Sequence, residues 1–307
     1  MTHDTIPTDL IVVGVDGSAL ARPALEWAAR EAEGRKAGLL LVMAQEVAQP
    51  APHELGWSYG LEELVQQGTE RVLDEAQAAV RVAHPDLEVT SQAVWGSPSA
   101  ALIEASRHAQ LVVTGSRGAG GWEGLLLGSV SGAVAAHAHC PVVVVPDRAA
   151  GAPADGPVVL GVDDSAEGHR AAAFAFGEAD GRGVPLVAVR AWTMEFEGGV
   201  VPTEQGSSAH DEMTRRHTEL VEHVLQHGRE QHPDVVVEAR IRRGSSVKAL
   251  AEESRSASMV VVGSRGRGGF AGMLLGSTSR QVLQASHAPV AVVRVLTTTC
   301  PQVVSSP

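Results

Sequence analysis

Short apolar runs recur along the chain, and longer segments with apolar residues at every third or fourth position separate them. In the first half the continuous runs are LIVVGV at 10–15, LLLVMA at 39–44, LVVTG at 111–115 and PVVVVP at 141–146, while LEVTSQAVWG at 87–96 alternates apolar and polar residues. Continuous runs of this length and β-branched content are typical of strands that are buried on both faces. The pattern therefore predicts five strands.

Cap and turn residues mark the ends of the segments between these strands. The predicted helix starts are Ser18, Ser97-Pro98 and Ser129. The first helix is expected to end near Gly34 or Gly38. After the irregular stretch QEVAQPAPHELGWSYG, the periodicity predicts a helix of about 20 residues that ends before His84. Alternating strands and helices with fully apolar strands predict a parallel, doubly wound α/β sheet with helices on both faces.

The second half of the chain repeats the first. Residues 111–145 and 259–293 align without gaps with 20 identities in 35 positions, and LIVVGVDGS at 10–18 matches PVVLGVDDS at 157–165. The stretch DRAAGAPADG between the copies is rich in small residues and has no apolar period, as is usual in linkers. The predicted organisation is a domain at 9–147, a linker at 148–156, a second domain at 157–295 and a tail at 296–307.

Composition and charge exclude several classes of partner. The formal net charge of −12 repels nucleic-acid backbones, so we expect no nucleic-acid partner. The two cysteines, Cys140 and Cys300, form no disulfide framework, which fits a reducing cytoplasm. The apolar runs are much shorter than the ~20 residues of a membrane helix, and residues 1–10 lack the features of a signal peptide. We therefore expect a cytoplasmic protein without a membrane partner.

Two glycine-rich loops carry the strongest chemical signal. The stretch GSRGAGGWEGLLLGS at 115–129 returns as GSRGRGGFAGMLLGS at 263–277, in each case at the end of an apolar strand. Glycines in such a loop are expected to adopt positive φ and to expose successive N–H groups that bind an anion; in the first copy they are Gly115, Gly118, Gly120 and Gly121. Gly128-Ser129 begins a helix, and helix N-termini also favour anions. The loops therefore predict a phosphate chain as ligand.

Known phosphate-binding motifs do not describe these loops. A Walker A motif needs a lysine beside the glycines, but the two lysines of the chain are Lys36 and Lys248. The turn after the first strand is DGS and lacks the GxGxxG of dinucleotide-binding folds. Asp16, at the end of that strand, is well placed to accept hydrogen bonds from ribose hydroxyls. If strands 1 and 4 are neighbours at the switch point, both loops face one crevice.

This combination resembles the ATP-binding branch of the universal stress proteins. The shared pattern is a glycine, a second glycine three positions on, and Gly-Ser ten positions after that, behind a strand that ends in aspartate. It occurs in both copies, behind Asp16 and Asp163, so the resemblance covers nearly the whole chain. It implies two similar doubly wound domains, each a five-stranded parallel sheet of order 3-2-1-4-5 with helices on both faces. It also implies an ATP, together with Mg²⁺, in each domain.

The resemblance also implies which residues bind ATP: the aspartate holds the ribose, the backbone after strand 2 meets adenine, and the glycine loop and the Gly-Ser pair hold the phosphates. The candidates in the first copy are Gly14, Val15, Asp16, Ala44, Gly115, Ser116, Arg117, Gly118, Ala119, Gly120, Gly121, Gly128, Ser129 and Val130. Those in the second copy are Gly161, Val162, Asp163, Ala191, Gly263, Ser264, Arg265, Gly266, Arg267, Gly268, Gly269, Gly276, Ser277 and Thr278. No residue is assigned to catalysis or to a metal.

The two sites are not expected to be equal. Asp164 stands where the first copy has Gly17, which adds negative charge, and Arg267 stands where the first copy has Ala119, which offsets it.

Some of these residues also have simpler interpretations. The glycines can serve only to shape a turn, the two aspartates can be helix-entry caps, and Arg117 and Arg265 can be partners in surface ion pairs. His223 and His227 have the i, i+4 spacing of a zinc site, but the first copy has no counterpart and HExxH is absent, so a solvated helix face is favoured.

The resemblance implies an ATP-binding stress-response protein that acts as a nucleotide-dependent regulator and not as an enzyme, with weak ATPase activity at most. The chain shows no combined set of lysine, carboxylate pair and nucleophile-positioning group for phosphoryl transfer. The alternatives are an ATP-hydrolysing or nucleotidyl-transfer enzyme on a related fold, and a scaffold with empty loops. Because unpaired apolar edges invite partners, the last strands of the copies, 141–146 and 289–295, are predicted to pair within the chain, and whole chains to form a homodimer.

Overall fold

The computed structural model describes residues 9–45, 58–118, 127–192, 208–266 and 274–295. Its strands, numbered along the chain, are β1 Leu10–Gly14, β2 Gly38–Gln45, β3 Val89–Trp95, β4 Leu111–Gly115, β5 Val142–Val145, β6 Val158–Gly161, β7 Leu186–Trp192, β8 Val237–Arg243, β9 Met259–Gly263 and β10 Val290–Val293. The helices are α1 Arg22–Arg35, α2 Ser58–Ala83, α3 Pro98–Ala105, α4 Ser129–His137, α5 Ala166–Arg182, α6 Ser208–Gln231, α7 Ser246–Glu253 and α8 Ser277–Ala285.

All ten described strands belong to one sheet, in the order β3-β2-β1-β4-β5-β10-β9-β6-β7-β8. Within each half the strands are parallel and their order is 3-2-1-4-5, as the resemblance implies. The prediction of two similar α/β halves with this strand order is therefore confirmed.

The two halves join through the last strand of each. Strand β10 pairs with β5 in antiparallel register, Val290 opposite Val144 and Val292 opposite Val142. This confirms the predicted pairing of the apolar edges, which leaves β3 and β8 as the outer strands of the sheet. Arg148 strengthens the junction, since its Nε donates to the carbonyl of Ser286 at 2.7 Å. A homodimer of whole chains stays a prediction, which sedimentation at micromolar concentration would check.

Successive residues of each inner strand pack into different layers. Ile11 and Val13 belong to the layer that holds Trp27 of α1 and Phe176 of α5, whereas Val12 belongs to the layer beneath α3, α4, α7 and α8. Because both faces of the inner strands are covered, their residues are apolar without alternation. Both layers run through the two halves of the sheet. Among the described helices, none has the length and apolar character needed to cross a membrane.

The predicted starts of α1 and α2 were wrong. The chain enters α1 differently from the prediction: Gly17 has φ +76°, a 3-10 turn at Ala19–Ala21 precedes the helix, and Ser18 makes no side-chain cap bond. The Ser18 hydroxyl donates instead to Asp16. The predicted end of this helix near Gly34 is confirmed, since α1 ends at Arg35; its C-cap residue, Lys36, adopts the left-handed conformation that glycine usually takes. Helix α2 spans 26 residues because it begins at Ser58, within the stretch expected to be irregular.

The buried thiol of Cys140 gives a first testable prediction. Burial raises the pKa of this thiol to about 12, although a hydrogen bond with the backbone of Val112 acts in the opposite direction. Because the thiolate is the reactive form, we expect a disulfide-exchange reagent at neutral pH to label Cys140 at least about a hundredfold more slowly in the folded chain than in urea. Mass spectrometry of the peptide that contains Cys140 measures both rates; equal rates would contradict the buried position.

Candidate functional site

Each half of the sheet has one cavity at the carboxyl ends of its two central strands. The first cavity, of about 390 Å³, lies between the ends of β1 and β4 and the start of α4. The second, of about 450 Å³, lies between the ends of β6 and β9 and the start of α8. This is the switch point at which the strand order reverses and where ligands bind in doubly wound sheets.

Most of the sequence-predicted residues come together in these cavities. Those that line the first are Gly14, Val15, Asp16, Ala44, Gly115, Arg117, Gly118, Gly128, Ser129 and Val130. Those that line the second are Gly161, Val162, Asp163, Ala191, Gly263, Arg265, Gly266, Gly276, Ser277 and Thr278. Ser116 and Ser264 are buried beside the cavities and do not line them. Ala119, Gly120, Gly121, Arg267, Gly268 and Gly269 lie outside the described residues.

The two aspartates are held in different ways. Asp16 Oδ1 accepts hydrogen bonds from the backbone N–H and the hydroxyl of Ser18, at 2.9 and 2.7 Å. Asp163 Oδ1 is buried and has no hydrogen-bond partner among the described residues, while Asp163 Oδ2 lies 3.8 Å from Nη1 of Arg190. Neither aspartate caps the α-helix that follows; in the second half Ser165 does so, accepting from the N–H of Gly168. A buried carboxylate oxygen without a donor from the protein can accept a hydrogen bond from water or from a ligand.

The expected role of the loop glycines needs a correction. Gly115 and Gly118, like Gly263 and Gly266, do not have positive φ. Glycine is required at positions 118 and 266 because the chain passes directly against the aspartate. A Cβ atom on Gly118 would lie 2.5 Å from Asp16 Oδ2, and one on Gly266 would lie 3.0 Å from Asp163 Oδ2. Each glycine therefore brings the main chain close to the carboxylate.

The starts of α4 and α8 face these carboxylates with uncapped N-termini. Their N-cap residues are Gly128 and Gly276, and neither helix has a side-chain cap bond in the described structure. A hydroxyl ties each first turn to the preceding strand: Ser131 donates to the carbonyl of Gly115 at 2.6 Å, and Ser279 to that of Gly263 at 2.7 Å. Helix N–H groups without a cap beside a cavity favour a negatively charged ligand.

The loop arginines form ion pairs. Arg117 Nε donates to Asp147 at 2.9 Å, and Arg265 Nη2 donates to Glu167 at 2.7 Å. The simpler interpretation of both side chains, as ion-pair partners, is thus what the structure shows, although both also line a cavity. Their partners differ between the halves, and each carboxylate offsets the charge that the arginine brings to the cavity.

Several residues that line the cavities were missed from the sequence, and Arg190 and Thr114 are two of them. Arg190 lines the second cavity at the position where the first half has Met43, and it donates from Nη1 to the carbonyl of Val162 at 3.0 Å. Thr114 lines the first cavity where the second half has Val262; its hydroxyl is buried without a hydrogen-bond partner among the described residues. At both positions one copy has a polar residue and the other an apolar one. A search for such differences between the two copies could have found these residues in the sequence.

Arg190 gives the described lining of the second cavity one arginine more than that of the first, where Arg117 is the counterpart of Arg265. His217 stacks on Trp192 near this arginine, and burial, followed by repulsion from Arg190, lowers the pKa of His217. Arg294 lies close to Arg265, and burial, followed by repulsion from Arg265, lowers the pKa of Arg294. Among the described residues Arg190 therefore lies beside the aspartate of the second cavity, whereas the predicted contribution of Arg267 falls outside them.

The described lining of the cavities can bind a polar ligand. Its polar part comprises backbone N–H groups, hydroxyls, aspartates and arginines, the described lining includes no lysine, histidine or cysteine, and apolar side chains such as Val15 and Leu250 complete it. Carboxylates accept hydrogen bonds from hydroxyl groups, and helix N-termini donate them to anions. The chemistry matches a ligand that carries hydroxyls at one end and negative charge at the other.

Comparison with known proteins gives consistent results. The universal stress protein family matches residues 8–146 and again residues 156–294. A universal stress protein from Mycobacterium tuberculosis is 38% identical over 295 residues, covering 92% of this chain and 96% of the relative. One from Mycolicibacterium smegmatis is 38% identical over 293 residues, with the same coverage. The crystal structure of a universal stress protein from Archaeoglobus fulgidus shares the fold, with a TM-score of 0.68 at 24% identity, covering 94% of this chain and 98% of that one.

Proposed function

The chain belongs to the universal stress protein family and carries two of its domains in tandem, and from this premise we propose that it is an ATP-binding stress-response regulator with a nucleotide site in each domain. The observation that carries the proposal is the meeting, in both cavities, of an aspartate, a loop glycine and an uncapped helix start. The hydroxyls of a ribose can donate hydrogen bonds to the aspartate, and the oxygens of a triphosphate can accept hydrogen bonds from the N–H groups of the helix start. One nucleotide can therefore bind to both groups.

The size of the cavities suits such a ligand. Volumes of about 390 and 450 Å³ fall within the range of roughly 300–1,000 Å³ that is usual for small-molecule sites. In the proposed complex the ribose binds Asp16 and Asp163, the adenine binds the strand ends at Ala44 and Ala191, and the phosphates bind the starts of α4 and α8; all of these residues line the two cavities. Mg²⁺ is expected to arrive with the nucleotide, because it is usually held mainly by phosphate oxygens and water.

A regulatory role follows from binding without efficient turnover. The described lining holds an aspartate in each cavity but no lysine or histidine, and it lacks the combined set of groups that efficient phosphoryl transfer recruits. ATP is then a ligand whose presence changes conformation or association. Incubation with labelled ATP and Mg²⁺ tests this step: turnover near ~1 s⁻¹ or above would favour an enzyme.

The identity of the nucleotide is tested by mass spectrometry of small molecules that heat releases from the purified, undialysed protein. We expect an adenine nucleotide with a phosphate chain. A molecule without phosphate groups in the same amount as the protein would contradict the proposal, because the uncapped helix starts would then have no anionic partner.

Arg190 is expected to strengthen ATP binding in the second cavity. The Arg190→Met substitution gives this position the residue of the first half and leaves Asp163 without its neighbouring cation. We expect ATP affinity of the second site to fall about threefold to tenfold, which corresponds to roughly 1 kcal/mol for a partly exposed ion pair. Calorimetric titration measures the affinity. Arg190→Lys serves as the charge-preserving control, and an unchanged affinity in Arg190→Met would refute the role.

A further inference from the structure

Three potential metal ligands from separate elements converge beside the second domain's cavity. Asp164 follows the cavity aspartate in sequence, His169 lies in the first turn of α5, and His223 lies on α6. His169 Nε2 is 3.2 Å from Asp164 Oδ1, and the rings of His169 and His223 meet edge to face with centroids 5.7 Å apart. One ligand atom from each residue lies within 4.8 Å of the others.

We propose that Asp164, His169 and His223 form a binding site for Zn²⁺. In a tetrahedral zinc site with ligand bonds of about 2.0–2.1 Å, neighbouring ligand atoms are about 3.3 Å apart. The separation between His169 and Asp164 already has this value. The remaining separations need to close by at most about 1.5 Å, which side-chain rotation supplies at partly exposed positions.

The ligand set selects the class of metal. Imidazole nitrogen suits zinc and its transition-metal neighbours, whereas Mg²⁺ and Ca²⁺ take oxygen ligands. Two histidines and a carboxylate leave the fourth tetrahedral position open to water. The aspartate also offsets part of the dication's charge.

The site belongs to the second domain. The register of the copies places Gly17 opposite Asp164, Arg22 opposite His169 and Glu75 opposite His223. An ion pair between Asp164 and His169 would stabilise the start of α5 by itself, but it does not account for the approach of His223 from a different helix. The sequence suggested His223 and His227 as a pair of metal ligands. In the structure α5 and α6 pack side by side, so that His223 lies instead near His169 and Asp164.

Calorimetric titration of Zn²⁺ into the EDTA-treated, nucleotide-free full chain tests the proposal independently of ATP binding. We expect one saturable site that is weakened at least tenfold by His223→Ala and by Asp164→Gly, since even groups that only support a ligand change metal affinity by about 10–100-fold. His227→Ala, one turn along the same exposed helix face, is the matched control and should bind zinc as the wild type does. Circular dichroism establishes that each variant is folded.

A spectroscopic readout separates this site from the other histidines. Co²⁺ bound by two imidazoles and a carboxylate in tetrahedral geometry should give an intense visible absorption that His223→Ala loses and His227→Ala keeps. The proposal is overturned if the wild type shows no saturable binding, or if Asp164→Gly and His223→Ala bind Zn²⁺ with unchanged affinity.

Discussion

Replacing Gly118 with valine is expected to remove ATP binding from the first domain while leaving the second domain's site intact. The new Cβ would lie 2.5 Å from Asp16 Oδ2, so either the carboxylate or the loop must move. Ser18 holds the other carboxylate oxygen through two hydrogen bonds, which opposes that movement. We expect a loss of about a hundredfold in affinity, or roughly 2.7 kcal/mol, in the range of overpacking costs. Calorimetry should report one ATP per chain.

The second domain supplies a matched comparison. A Cβ on Gly266 would lie 3.0 Å from Asp163 Oδ2, a distance at which a small shift of the carboxylate relieves the contact. Gly118→Ala should therefore cost more affinity at the first site than Gly266→Ala costs at the second, while valine should block either site. Gly34→Ala, on the exposed part of α1 where a Cβ meets no atom within 4 Å, controls for glycine replacement as such. Two full-affinity sites in the Gly118→Val, Gly266→Val double variant would favour the empty-loop scaffold.

Removing the carboxylate of Glu178 is expected to destabilise the joint between the domains. Arg35 of α1 pairs with Glu178 of α5, and Arg182 of α5 pairs with both Glu178 and Glu31 of α1. Burial raises the pKa of Glu178, and Arg182 is the strongest opposing influence. Glu178→Ala leaves two partly buried arginines with one remaining carboxylate. We expect the free energy of unfolding to fall by about 3 kcal/mol, the lower end for breaking a buried ion pair.

Urea denaturation measures this change, and an exposed ion pair provides the control. Glu75 pairs with Arg71 on the surface of α2, with its side chain 67% exposed. Glu75→Ala should change the free energy of unfolding by less than about 1 kcal/mol, as is usual for exposed pairs. If Glu178→Ala proves as mild as Glu75→Ala, the charges at the joint contribute no more than surface charges do.

The chain's periodicity and its internal repeat were sufficient to predict the strands and a parallel, doubly wound sheet in each half, whereas the strand order came from the family resemblance. Continuous valine runs have one stable placement in a doubly wound fold, so β4 at Leu111–Gly115 and the joining of β5 with β10 followed from the sequence. Local competition between hydrogen bonds was harder to predict. The hydroxyl of Ser18 donates to Asp16 within a tight turn and does not cap a helix. The hydroxyl of the equivalent Ser165 caps α5 by accepting from a backbone N–H.

Contacts between residues from distant parts of the chain were the hardest feature to predict from the sequence. The spacing of the loop glycines identified them in the sequence. Their closeness to Asp16 and Asp163 could not be predicted, because it depends on where two separate loops cross in space. His169 and His223 are separated by 53 intervening residues, and their approach depends on how α5 packs on α6. Arg190 was not predicted as a cavity residue, because its neighbour Asp163 lies in the loop after a different strand and their approach depends on how β6 and β7 pair.

Native mass spectrometry of the wild-type chain in the presence of ATP and Mg²⁺ tests the central claim most directly, because it counts nucleotides on each folded molecule. The proposed function predicts a chain that takes up two ATP molecules, one in each cavity. A chain that stays free of nucleotide at ATP concentrations well above those in cells would contradict it.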